Sequence, residues 1–139
     1  MTDTQLEQLD APIPTRIRLA ALWSSVMFLY IYVDILNFFK PGTVADILDG
    51  RVWEFDVSAG WAFGAMALMS IPCMMPALSI LLPSGAARWS NIVFGILYLP
   101  VSAGNVIGET WVYYYLGAAL EVVLLVLVIR MAWRWRPAR

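Results

Sequence analysis

The stretch LWSSVMFLYIYVDILNFF, residues 22–39, decides the class of fold. It contains no proline or glycine, and Asp34 is its only charged residue. A second stretch, YYYLGAALEVVLLVLVI at residues 113–129, repeats the pattern with Glu121 as its only charge. A helix needs roughly 20 mostly apolar residues to cross a bilayer, and both stretches extend to that length with their flanks. An acid near the bilayer centre costs about 2.5–3.5 kcal/mol on insertion-based scales, so each acid should face protein or water rather than lipid.

Composition supports a membrane protein. Of the 139 residues, 61% are hydrophobic and 14% are charged. A soluble domain has about 45–50% and about 25%. The net charge of −1 gives no reason to expect nucleic-acid binding. Histidine is absent and Cys73 is the only cysteine, which excludes an intrachain disulfide and a Cys/His zinc site. No residue set suits haem ligation, thiol cycling or a nucleophile–base pair, so no catalytic residue, metal or cofactor is expected. Residues 1–15, MTDTQLEQLDAPIPT, are polar and acidic, unlike a cleavable signal peptide, and read as a mobile cytoplasmic arm. The first span would then act as an uncleaved anchor, and neither end carries a lipidation motif.

Working outward, four stretches can span: about 17–39, 58–82, 89–108 and 111–133. Turn chemistry separates them at Lys40-Pro41-Gly42, Pro83-Ser84-Gly85 and Gly108-Glu109-Thr110. The expected fold is all-α: an antiparallel four-transmembrane-helix bundle forming a single domain over 16–136, with a basic tail at 137–139. Basic residues set the orientation. With both termini cytoplasmic, Arg16, Arg18, Arg88, Arg130, Arg134, Arg136 and Arg139 lie inside, against Lys40 and Arg51 outside. The expected location is the inner membrane. Trp61 and Trp111 mark outer helix ends, and Trp89, Trp133 and Trp135 inner ones.

Between the first two spans, Thr43-Val44-Ala45-Asp46 has the spacing of a capping box, with Thr43 as N-cap. Val44, Ile47 and Leu48 form one apolar face, and Gly50 can end the turn. A short amphipathic helix on the outer interface is predicted. It reads as a surface anchor in preference to a lid.

Helical spacing then groups the polar residues. Trp23, Met27, Tyr30, Asp34 and Asn37 share a face of the first span. Asn91, Gly95, Tyr98, Ser102 and Asn105 form a small-and-polar stripe on the third, and Tyr114, Gly117, Ala118 and Glu121 one on the fourth. Such stripes are what packed membrane helices present to each other. Gly60/Gly64 and Gly104/Gly108 match a GxxxG packing spacing. Helical rise puts Asp34 about 8 Å below the outer end and Glu121 about 15 Å down, near the midplane. A shared, outward-opening wet cavity lined by Tyr30, Asn37, Tyr98, Ser102 and Asn105 would suit both acids. No basic residue lies at matching depth. Pro72, Pro76 and Pro100 interrupt helical hydrogen bonding within spans. A weak repeat aligns Trp23-Ser24, Phe28 and Tyr32 with Trp89-Ser90, Phe94 and Tyr98.

The segments RLAALWSSVMFLYIYVDILNFFKPG, IPCMMPALSILLP, RWSNIVFGILY and LEVVLLVLVIRMAWRW together resemble a family of small bacterial membrane proteins of unknown function. The resemblance covers residues 16–136 and rests on Tyr32-x-Asp34 with Pro41-Gly42, Arg88-Trp89-x-Asn91 and Glu121. It implies a four-helix bundle, broadly DoxX-like, and no activity. In that family an acid often precedes the Ile-Pro of the second span, where this chain has Ser70.

Two readings of function follow. In one, the protein is a small transporter or permeation-type protein, working as an oligomer, whose intramembrane acids bind a proton, a cation or an amine. In the other it is a non-catalytic membrane partner or assembly subunit, and the acids are helix glue. Besides the lipid bilayer, the partners these readings call for are a second copy, another membrane protein, or a small-molecule or ion ligand.

Overall fold

The computed structural model describes residues 12–136, so residues 1–11 of the arm and the tail 137–139 lie outside the described residues. The elements run α1 (Thr15–Asn37), α2 (Thr43–Leu48), β1 (Arg51–Val52), β2 (Phe55–Asp56), α3 (Ala59–Leu81), α4 (Ser84–Gly104) and α5 (Val112–Arg134). Three of them, α1, α3 and α5, are long and apolar enough to cross a membrane. The helix α4, whose sequence carries Arg88, Ser84, Ser90, Asn91 and Ser102, is not among these three.

The long helices pack as α1 on α3 and α5, and α4 on α3 and α5. Their shared core is Leu19, Trp23, Val26 and Tyr30 of α1, Met75 of α3, Ile92 and Tyr98 of α4, and Leu125, Val128 and Ala132 of α5. Polar residues are buried in the same interior: Ser79, Asn91, Ser102 and Glu121. The outer surface is apolar instead, with Phe63 77%, Leu81 78% and Val112 80% exposed. A protein built for water would reverse this pattern, whereas helices solvated by lipid bury their small and polar residues against each other.

Local chemistry explains the helix ends. Ser58 caps α3 by accepting a hydrogen bond from the Trp61 backbone N–H at 3.1 Å. Pro14 and Pro83 precede α1 and α4, where a missing N–H costs nothing. Arg16 donates to the carbonyls of Ile80 and Leu82 at 2.7 and 2.8 Å, closing the C-terminus of α3, and to Ser84 Oγ at the start of α4. Arg88 does the same for α5 through the carbonyls of Ala132 and Trp133. Each guanidinium meets the negative end of a helix dipole. These contacts gather the start of α1, the end of α3, the start of α4 and the end of α5 at one end of the molecule.

Pro72 lies inside α3 and donates nothing to the Leu68 carbonyl four residues earlier. The Tyr98 hydroxyl of α4 donates to that carbonyl instead. A proline gap in one helix is thereby closed by a side chain of its neighbour, as membrane helices require.

Several expectations are corrected. The third helix runs 84–104 rather than 89–108, because Pro83 starts it early and the chain turns at Gly104–Gly108, with Gly108 at φ 79°. Gly104/Gly108 is therefore not a helical packing face. Gly60 and Gly64 are both exposed and Gly64 has no neighbour within 4 Å of a Cβ position, because α3 buries only Pro72, Met75 and Ser79, all in its second half. The short helix exists, but Gly42, in the left-handed region at φ 92°, is its N-cap and there is no side-chain cap bond from Thr43. The repeat pairs unlike environments: Trp23 is fully buried and Trp89 is 56% exposed. The β1–β2 hairpin, in register Arg51↔Asp56 and Val52↔Phe55, adds an element not predicted from the sequence.

Candidate functional site: a cavity at one end and a buried carboxyl

At the end opposite Arg16 and Arg88, a cavity of about 430 Å³ opens between the ends of α1 and α4, the start of α5, and the α2–hairpin segment. From α1 come Val33, Asp34 and Asn37, with Lys40 just beyond its end. Thr43, Asp46 and Ile47 of α2 and Arg51, Val52 and Trp53 of the hairpin form the opposite wall. Gly104, Asn105, Ile107, Glu109 and Tyr114 complete the lining. The short helix thus turns Thr43, Asp46 and Ile47 to the cavity and leaves Val44 50% and Leu48 82% exposed. It walls one side of the cavity.

The charges in this lining pair off with one left over. Lys40 Nζ lies 2.7 Å from Glu109 Oε2, both side chains only 20% exposed. Arg51 Nη2 lies 3.5 Å from Asp46 Oδ1 on the exposed rim. Asp34 has no salt-bridge partner among the described residues. The Lys40 ammonium also stands 4.9 Å from the Tyr114 ring centroid, within cation–π range. Tyr115 donates its hydroxyl to the Glu109 carbonyl at 2.6 Å, which holds the turn carrying that carboxylate.

Glu121 is elsewhere. It is 1% exposed, and its Oε2 has no hydrogen-bond partner among the described residues. Around it lies a buried polar cluster. Tyr30 and Ser102 share a 2.7 Å hydrogen bond between their hydroxyls, and the Ser102 hydroxyl also faces the Glu121 carboxyl. Asp34 remains within electrostatic range of Glu121. Leaving a buried carboxyl oxygen unpartnered costs free energy that helix packing alone need not spend.

The predicted seven-residue site therefore divides. Asp34, Asn37 and Asn105 line the cavity; Tyr30, Tyr98, Ser102 and Glu121 do not. The expected single cavity is closed by the approach of α1 to α5. Gly117 has no side chain, and a Cβ there would lie 2.6 Å from Val33 Cγ2 and 3.8 Å from Glu121 Oε1. Val33 and Tyr114, each 8% exposed, thus form a floor between cavity and carboxyl. Gly95 plays the same part lower down, where a Cβ would lie 2.7 Å from Ile129 Cγ1. Gly95 of α4 and Gly117 and Ala118 of α5 are buried.

A third polar group escaped the sequence reading in part. Asn91 Oδ1 accepts from Trp23 Nε1 at 2.8 Å, and its Nδ2 donates to the Ala87 carbonyl at 2.7 Å and to Ser79 Oγ at 3.0 Å. This ties α1, α3 and α4 together. Asn91 and Trp23 were legible in their stripes, but Ser79 carried no spacing signal. Lys40 and Glu109 were legible only as loop charges at the same expected end. Arg51 and Trp53 of the hairpin and Asp46 of α2 line the same cavity with them, an arrangement that local patterning does not reveal.

No characterised protein and no solved structure matches the chain. A family model does, over residues 14–139, nearly the whole length of the four long helices described above. The chain belongs to a family of unknown function (DUF6326).

Proposed function

We propose that this is a polytopic inner-membrane protein with four spans and cytoplasmic termini, whose outer cavity receives a positively charged solute or proton at Asp34. The observation that carries the reading is the stacking of two carboxyl groups with no salt-bridge partner among the described residues: Asp34 in the cavity lining, and Glu121 buried beneath the Val33–Tyr114 floor. Intramembrane acids that lack a cation are functional sites by default. The remaining lining charges neutralise each other, which leaves the cavity a net attraction for a cation. In this reading α4 is the fourth span of an antiparallel bundle: its polar side chains Asn91, Tyr98 and Ser102 are buried against the other three helices, which removes the cost of their polarity. A bacterial, DoxX-like kinship fits the same architecture. Transport would require oligomerisation, since one protomer has little room for a complete pathway. The reading assigns no catalytic step.

The test is flux in proteoliposomes. Asp34→Asn and Glu121→Gln should each fold and each lose pH- or cation-dependent flux. Wild-type flux in both variants would overturn the reading.

One observation favours a second reading, an assembly subunit. The outer half of α3, with Gly60, Gly64 and Phe63, is exposed and unpacked. A stoichiometric membrane partner that co-purifies and is lost with Gly64→Leu would support it.

A further inference from the structure

We infer that the outer cavity is a binding site for a small organic ammonium ion, salt-bridged to the Asp34 carboxylate and covered by the Trp53 indole. The inference rests on the reading of Asp34 as the receiving group and names the class of molecule received.

Size comes first. The cavity, at about 430 Å³, falls within the roughly 300–1,000 Å³ of small-molecule sites and is far larger than a bare ion needs. Charge comes second. Asp46 and Glu109 are engaged by Arg51 and Lys40, so one carboxylate is left to the ligand. A single carboxylate suits a monocation, whereas a hard divalent cation takes six or more oxygens, several of them anionic. Third, the walls are partly aromatic. Trp53 and Tyr114 both line the space, and aromatic faces attract ammonium groups. The chain supplies its own example: Lys40 places an ammonium between the Glu109 carboxylate and the Tyr114 ring. Asp34 and Trp53 offer the same two components on the same cavity, and among the described residues no cationic side chain pairs with Asp34. The side-chain carbonyls of Asn37 and Asn105 are available to take further N–H donors.

The backbone at Trp53 is consistent with this role. It sits at φ 53°, in the left-handed region, within the two-residue turn joining β1 to β2. Glycine or asparagine adopts that conformation with less strain, yet the position holds the largest side chain.

The experiment titrates the purified full chain in detergent with 2-phenylethylammonium, following tryptophan fluorescence and heat. Tetramethylammonium and potassium serve as comparison cations. Saturable binding of 2-phenylethylammonium is expected, weakened about tenfold or more by Asp34→Asn and several-fold by Trp53→Leu, as loss of a charge-assisted bond and of an aromatic wall predicts. Asp34→Glu should retain binding, which separates loss of the site from loss of the fold. No saturable binding to the wild-type chain, or undiminished binding to Asp34→Asn, overturns the inference. So does an equal response to potassium. Binding without any flux upholds the inference and sinks the permeation reading. Proton or potassium flux without amine binding does the reverse.

Discussion

Gly117 lacks a Cβ at the contact between α1 and α5 that separates the cavity from Glu121. A methyl group there would sit 2.6 Å from Val33 Cγ2, and valine, branched at Cβ, has few other rotamers to move into. Gly117→Ala should therefore destabilise the protein by about 1–3 kcal/mol, the usual cost of overpacking. Adding Val33→Ala should restore most of that loss, because the second change removes the clashing methyl. Thermal unfolding of the single and double variants in detergent checks this; an additive loss in the double variant would refute the proposed clash. The sequence already placed Gly117 and Glu121 on one stripe, since helical spacing is a local property. Its Val33 partner was hidden, because adjacent Asp34 drew the reading of that helix one position round from the residue that seals the floor.

Among the helices, polar groups serve where apolar packing cannot. Pro72 leaves the Leu68 carbonyl without its helical donor, and Tyr98 supplies one. Tyr98→Phe should cost about 1 kcal/mol by orphaning a part-buried carbonyl. In a Pro72→Ala background the helix can close its own bond, and the same tyrosine substitution should cost markedly less. A double-mutant cycle read by thermal or denaturant unfolding measures this coupling; equal costs in the two backgrounds would refute the account. The prolines and the tyrosine stripe were each visible in the sequence. Their partnership was not, since it depends on how α3 and α4 are set against each other. The Asn91–Trp23–Ser79 tie was hidden for the same reason: its three residues come from three helices.

The two ends of the whole molecule are chemically distinct. Arg16 and Arg88 bind helix C-termini at one end, while Lys40, Glu109, Arg51 and Asp46 gather around the cavity at the other. With the arginine-rich end cytoplasmic, cysteines placed in a Cys73→Ala background should report opposite sides. Asp49→Cys should react with a membrane-impermeant maleimide in intact cells, and Arg136→Cys only after the membrane is opened. The opposite labelling pattern would invert the topology. Cys73 is itself exposed on the surface of α3, so its removal should leave the packing intact.

The order of the long helices, their apolar character and the shared faces that bury Trp23 with Tyr30, Asn91 with Tyr98 and Ser102, and Gly117 with Glu121 follow from sequence alone, because hydropathy and the 3.6-residue period are local properties. Tertiary structure alone decided that the acids lie in different compartments. It also decided that Lys40 and Arg51 are occupied by Glu109 and Asp46, and that a hairpin carries Trp53 to the cavity wall. The physical reason is that whether a charge is paired depends on which groups from distant segments reach it. Here a glycine that lets two helices touch closes the floor above one carboxyl, and two ion pairs leave the other open to a ligand.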